Sequence, residues 1–184
     1  MSRPPHAREK VLDAFERILL EEGARAATMD ATARAAGVSK GGLLYHFKSK
    51  DALAQGILDR LEALQDDDIA AMAASPEGPV AYFLRTSALA DDPLDRTLIA
   101  TSRLAQSGNQ DARAALARAR SRWTEALRPH VVDETALTLV LLVSDGLYAN
   151  YVDPAADGAR QAVPTGPAMD ALVALVEQAT RATR

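Results

Sequence analysis

Lys40, Tyr45, His46 and Lys50 fall in one stretch, "GVSKGGLLYHFKSK", residues 37 to 50, together with Ser39, Gly41, Gly42 and Leu44. Ammonium groups, a hydroxyl and polar-tipped aromatics at this density suit contact with a polyanion. They do not form a catalytic set. The chain has no cysteine, which excludes disulfides, Cys-ligated zinc and a thiol nucleophile. His6 and His130 have no partners at metal-ligand spacing and read as structural. No Ser/His/Asp order, paired-histidine spacing or phosphate-cradling glycine loop occurs. The chemistry expected is binding, with no enzyme activity, no cofactor and no metal.

Charge is distributed to match. Residues 1 to 50 carry nine Lys/Arg against six Asp/Glu, a net +3. Residues 51 to 184 carry twelve against nineteen, a net −7. A basic end on an acidic body points to two tasks, the first with a polyanionic partner. The longest strongly apolar run, "ALTLVLLV" (136 to 143), is far shorter than a bilayer span needs, and no signal segment is seen at the start. A soluble, cytoplasmic protein is expected.

The elements that hold the stretch are helices. Hydrophobic residues are 48% of the chain but aromatics only 4%, so a core is mainly Ala, Leu and Val. Period 3.6 dominates, without two-residue alternation, so the fold class is all-α with about nine helices. The first helix spans about Pro5 to Glu22, with Val11, Phe15, Ile18 and Leu19 on one face and Gly23 as its stop. Thr28 caps a short second helix to Ala36, with Asp30 in its first turn. Gly37 breaks it, Val38 turns inward, and Ser39 caps a third helix from about Lys40 to His46. Ser49 caps a fourth, about residues 50 to 74, with Leu53, Ile57, Leu61 and Leu64 leading toward Ile69 and Met72.

Punctuation sets the rest. "SPEGP" (75 to 79), "DDP" (91 to 93) and "SGNQD" (107 to 111) separate the fourth to seventh helices. Pro129 and Asp133 lead to an eighth, about Glu134 to Tyr151. "DPAADGARQAVPTGP" (153 to 167) reads as the longest loop, before a ninth helix from about Ala168.

Residues 28 to 47 thus form a helix, a glycine-containing turn and a helix. Ala33, four residues before Gly37, is small where two steeply crossed helices touch, and Gly37 accepts the positive φ of the turn. This is a helix-turn-helix whose second helix probes the major groove. Gly41 and Gly42 allow close approach. The capped helix starts at Ser39 and Thr28 suit phosphate, and Lys40 suits a base edge or phosphate. Tyr45 and His46 suit phosphate contact or thymine-methyl packing, and Lys50 a second phosphate. Phe47 faces inward.

"TMDATARAAGVSKGGLLYHFKSKDAL", residues 28 to 53, closely resembles the DNA-binding domain of the tetracycline-repressor (TetR) family of bacterial transcription regulators. The features that carry the resemblance are Thr28, Ala33, Gly37-Val38-Ser39, Tyr45-His46-Phe47, and Lys50 followed by an acidic residue and Leu53. Leu44 stands where the family usually shows a second aromatic, and Gly42 where it often has a side chain. The resemblance implies a DNA-binding domain over 1–50 and a ligand-binding and dimerisation domain over 51–184, linked by the fourth helix. It implies a homodimer on a near-palindromic double-stranded operator, acting as a repressor released by a small-molecule effector. A regulator without an effector, and a helical carrier or enzyme with a vestigial motif, are the alternatives.

The eighth helix is apolar on most sides and has to be covered. It serves either as monomer core or, with the ninth helix, as half of a four-helix dimer interface through Leu137, Val140, Leu141, Leu147, Tyr151, Leu172 and Val176. Tyr82, Phe83, Ser102, Trp123, Ser144, Asp145 and Tyr148 are the expected lining of an effector site. Asp145 would bind an amine or hydroxyl there, or else pair with an arginine. Arg113, Arg118, Arg120 and Arg122 read as a solvated face.

Overall fold

A computed structural model of the chain describes residues 4–88, 92–152 and 163–181. Among them the order is α1 (Pro4–Glu21), α2 (Met29–Ala36), α3 (Lys40–His46), α4 (Lys50–Ala74), α5 (Pro79–Thr86), α6 (Pro93–Gln106), α7 (Gln110–Leu127), a 3-10 turn (Arg128–His130), α8 (Glu134–Val152) and α9 (Pro167–Arg181). The described residues contain no strand, as the sequence periodicity implies. Residues 153–162 of the expected long loop, Asp91 of "DDP", and the side chains of His6, Asn150 and Tyr151 lie outside what is described.

Helix boundaries follow the expected local chemistry. Gly23 (φ 80°) and Gly37 (φ 67°) adopt the left-handed conformation that ends α1 and α2. Thr28 Oγ1 accepts a hydrogen bond from the Ala31 N–H, and Ser39 Oγ from the Gly42 N–H, so both caps are made. Asp92 and Pro93 open α6 in the same way, the Asp92 carboxylate accepting from the Asp95 N–H.

The chain divides into two compact units. The first holds residues up to Gln65 together with Asp92–Ala119, so α6 and the first part of α7 join the N-terminal helices. α1 is its centre and packs against α2, α3 and α6. Leu12, Phe15 and Leu19 of α1, Leu43 of α3, and Leu53 and Ile57 of α4 are fully buried, with Phe47 beside them. Gly56 makes the closest approach: a Cβ there would sit 3.0 Å from Leu12 Cδ1 and 3.1 Å from Phe47 Cε1. Glycine at this one position lets α4 lie against α1 and the end of α3.

The second unit runs from Asp66 through α5 and from Arg120 through α9. α5, α8 and α9 pack on one another around Met72, Leu84, Leu127, Leu137, Val140 and Val173. The residues of the expected dimer set divide by burial. Leu137, Val140, Leu147 and Val176 are buried in the unit's own core, and Leu141 and Leu172 are half-buried against it. The exposed apolar side chains of these two helices are instead Leu139, Leu142 (61% exposed) and Leu175 (64%). The physical reason is that α8 is apolar around most of its circumference, so its spacing does not distinguish the inward face from the outward one.

Candidate nucleic-acid interface

α3 is only seven residues long, too short to be stable by itself, and it is held by what it buries. Leu43 is fully buried in the first core and Phe47, directly after the helix, lies in the same core. The Arg8 guanidinium sits 5.1 Å from the Phe47 ring centroid, a cation–π contact from α1. With Leu43 pinned inward, Lys40, Gly41, Leu44 and Tyr45 are turned outward. Tyr45 is 80% exposed and the His46 ring meets it edge-on at 5.0 Å. Lys40 Nζ lies 3.0 Å from Asp30 Oδ1, an ion pair between α3 and α2.

The other expected contacts have local duties. Thr28 and Ser39 use their side-chain oxygens as helix caps while remaining exposed. Gly42 is half-buried, and a Cβ there would come 3.3 Å from Ser39 Oγ, so its small size also protects that cap. At Gly41 a Cβ would meet nothing within 4 Å. Its backbone is open on the outward face. Lys50 Nζ donates to the Ala24 carbonyl at 2.6 Å and ties the start of α4 to the loop after α1.

A charged clasp fixes α1, on which the motif rests. Arg60 of α4 bonds Glu9 (2.9 Å), Asp13 (2.7 Å) and Glu16 (3.2 Å) of α1. The buried Thr97 hydroxyl of α6 donates to the other Glu16 oxygen at 2.6 Å. Burial opposes ionisation of Glu9, but the guanidinium of Arg60, with that of Arg8, outweighs it and holds the carboxyl below its ordinary range. Burial likewise works against the charge of Arg60, and the hydrogen bonds it donates to Glu9 and Asp13, with the Glu16 charge, more than offset it. Glu9, Asp13 and Glu16 recur at helical spacing in the sequence, which marks one acidic face; Arg60, 44 residues beyond Glu16, carries no such mark.

In the second unit the expected effector residues are only partly gathered. Tyr82 Oη and Trp123 Nε1 donate to the two oxygens of Asp68, at 3.2 and 2.8 Å. The Phe83 and Trp123 rings stand 6.2 Å apart. Ser144 and Ser87 share a hydroxyl–hydroxyl bond of 2.7 Å. Tyr148 is half-buried on α8. Asp145 is engaged by Arg120 through two bonds, at 2.6 and 2.9 Å, and this hydrogen-bonded carboxylate raises the pKa of Arg120 above its ordinary value. Ser102 lies in α6 and belongs to the first unit. Asp68 was not singled out from sequence, because nothing in the run of three aspartates at 66 to 68 distinguishes the one that meets an indole. The described residues contain no cluster of His, Asp or Glu able to hold a metal, and no helix long and apolar enough to cross a membrane.

The model of the bacterial regulatory proteins of the tetR family matches residues 11–57, which run from within α1 to the first part of α4. The match spans about a quarter of the chain. A similar protein, the HTH-type transcriptional regulator BetI of Rhizobium meliloti (strain 1021), is 37% identical over 99 residues, covering 52% of this chain and 49% of BetI. The chain therefore spans about half the length of that curated relative. Likeness in fold runs further. Salmonella enterica GusR superposes with a TM-score of 0.66 at 18% identity, covering 98% of each chain. FadR of Bacillus halodurans, a fatty acid degradation regulator, superposes at 0.60 and 18%, covering 94% of this chain and 93% of its own.

Proposed function

We propose that this chain is a ligand-responsive transcriptional repressor that binds a near-palindromic DNA operator as a homodimer and is released by a small-molecule effector. The observation that carries the reading is the outward face of α3. Lys40, Gly41, Leu44 and Tyr45 stand clear of the core that Leu43 and Phe47 anchor, and Tyr45 is 80% exposed. A buried anchor with bare basic, small and aromatic neighbours suits insertion into a major groove. Thr28, Ser39, His46 and Lys50 are assigned to phosphate contact, which sets register rather than sequence.

Dimerisation is supported by the apolar residues that the second unit leaves uncovered. Leu139, Leu142 and Gly146 on α8, and Ala168, Ala171 and Leu175 on α9, are exposed at three- and four-residue spacing. A twofold mate would cover both stripes in a four-helix arrangement. It would also present two copies of α3 to half-sites about 34 Å apart. The effector reading rests on Tyr82, Phe83 and Trp123 gathered around Asp68, and on the continuous helix α4, which begins beside the motif and ends in the second unit. An effector acts only by binding the release geometry better, typically by about 1–3 kcal/mol. Such a protein works in the cytoplasm, on DNA, without catalysis.

Selection of duplexes from a random-sequence pool by the full-length protein tests this reading. Enrichment of a near-palindrome supports it. A pool that stays random after repeated rounds contradicts it.

A further inference from the structure

The exposed arc of α3 covers roughly 140° at 3.6 residues per turn, and its order across the face is Lys40, Leu44, Gly41, Tyr45. The centre of that arc is apolar. Leu44, 40% exposed, has no polar side-chain atom, and Gly41 has no side chain and open space where a Cβ would be. Groups that donate or accept stand only at the edges: Lys40, already held by Asp30 at 3.0 Å, and the hydroxyl of Tyr45.

A helix presenting this pattern to a major groove cannot read the middle of its site by side-chain hydrogen bonds. In the major groove each base pair offers donors and acceptors, and one apolar feature, the C5-methyl group of a pyrimidine. An isobutyl group beside a bare glycine makes a shallow notch with room for such a methyl. The ammonium of Lys40 on its flank favours the polyanion that carries it.

Building on the DNA-binding reading, we infer that Leu44, with the space left by Gly41, is a specificity-determining contact for a pyrimidine C5-methyl group, and that each half-site has a thymine under it. The same chemistry is offered by 5-methylcytosine, so the notch distinguishes methylated from unmethylated cytosine at that position.

The test uses the full-length protein and the duplex that random-pool selection yields. Each thymine of a half-site is replaced in turn by deoxyuridine, which removes only the methyl group. At one position per half-site the wild-type protein loses about fourfold in affinity, the worth of one buried methyl. Leu44→Ala binds the thymine and deoxyuridine duplexes alike. Cytosine and 5-methylcytosine are then placed at the same position: the methylated base binds about fourfold tighter to the wild type and equally to Leu44→Ala. Deoxyuridine tolerated at every position by a wild type that still binds overturns the inference and leaves the DNA-binding reading standing. A penalty that persists in Leu44→Ala overturns the assignment to Leu44. Failure of the wild type to retain any duplex overturns both.

Discussion

Lys40 Nζ lies 3.0 Å from Asp30 Oδ1, so the first residue of α3 is tied to the first turn of α2 by a pair that is exposed on both sides. Such a pair adds little to stability. Its consequence is positional. It orients an ammonium group and places one carboxylate beside a face proposed to meet phosphates.

Asp30→Asn therefore acts on binding more than on folding. The carboxylate no longer repels phosphate and Lys40 is released. Affinity for any duplex rises severalfold at low salt, the salt slope steepens, and discrimination between sequences falls. Stability changes by a few tenths of a kcal/mol, since Asp30 also favours the start of α2. Anisotropy titrations at several salt concentrations, on selected and scrambled duplexes, measure this.

Gly41→Ala separates stability from function. Its backbone is helical and a Cβ there meets nothing within 4 Å. Alanine in a helix is favoured over glycine by roughly 0.5–1 kcal/mol, so the urea midpoint rises. The added methyl projects from the outward face, and affinity for the selected duplex falls severalfold.

Arg60→Ala opens the clasp on α1. Glu16, almost buried, then keeps the Thr97 hydroxyl as a hydrogen-bond donor but loses its cation. Removing one member of a buried ion pair costs about 3 kcal/mol, here at the low end of the range because Arg60 is partly solvated. Arg60→Lys recovers part of this, since a compact ammonium keeps the charge but lacks the breadth of the planar fork whose two terminal nitrogens reach the three carboxylates. Urea denaturation reads the loss.

The Glu9 carboxyl gives the pH dependence its sign. Burial opposes its charge, but Arg60 and Arg8 hold its folded pKa below the ordinary value of 4.5. A depressed carboxyl contributes stability that is fully present above about pH 4.5 and is lost as pH falls through the lower folded value. Denaturation curves between pH 7 and pH 3 show a decline beginning below about 4.5, and Glu9→Gln makes that decline shallower.

Local signals in the sequence carried much of the architecture. Thr28, Gly37 and Ser39 combine a cap, a positive-φ stop and a second cap, and each acts within three or four residues of itself. Such chemistry is readable because sequence neighbours are spatial neighbours. Long-range partners were not readable in this way. Arg60 against three carboxylates of α1, Lys50 on the Ala24 carbonyl and Gly56 beneath Phe47 depend on how helices cross, and composition does not encode that. The face of α8 was ambiguous for a second reason: leucine and valine occupy nearly every side, so Leu137 and Leu142 look alike until the core takes one and leaves the other exposed.

Fluorescence anisotropy of the full-length chain on its selected duplex, wild type against the Lys40→Ala/Tyr45→Ala double variant, tests the central claim most directly. Both side chains are exposed, so circular dichroism and the urea midpoint stay at wild-type values. The outward face of α3 as the DNA contact predicts an affinity loss of about a hundredfold and a shallower salt slope. A double variant that binds within twofold of wild type, with an unchanged slope, contradicts it.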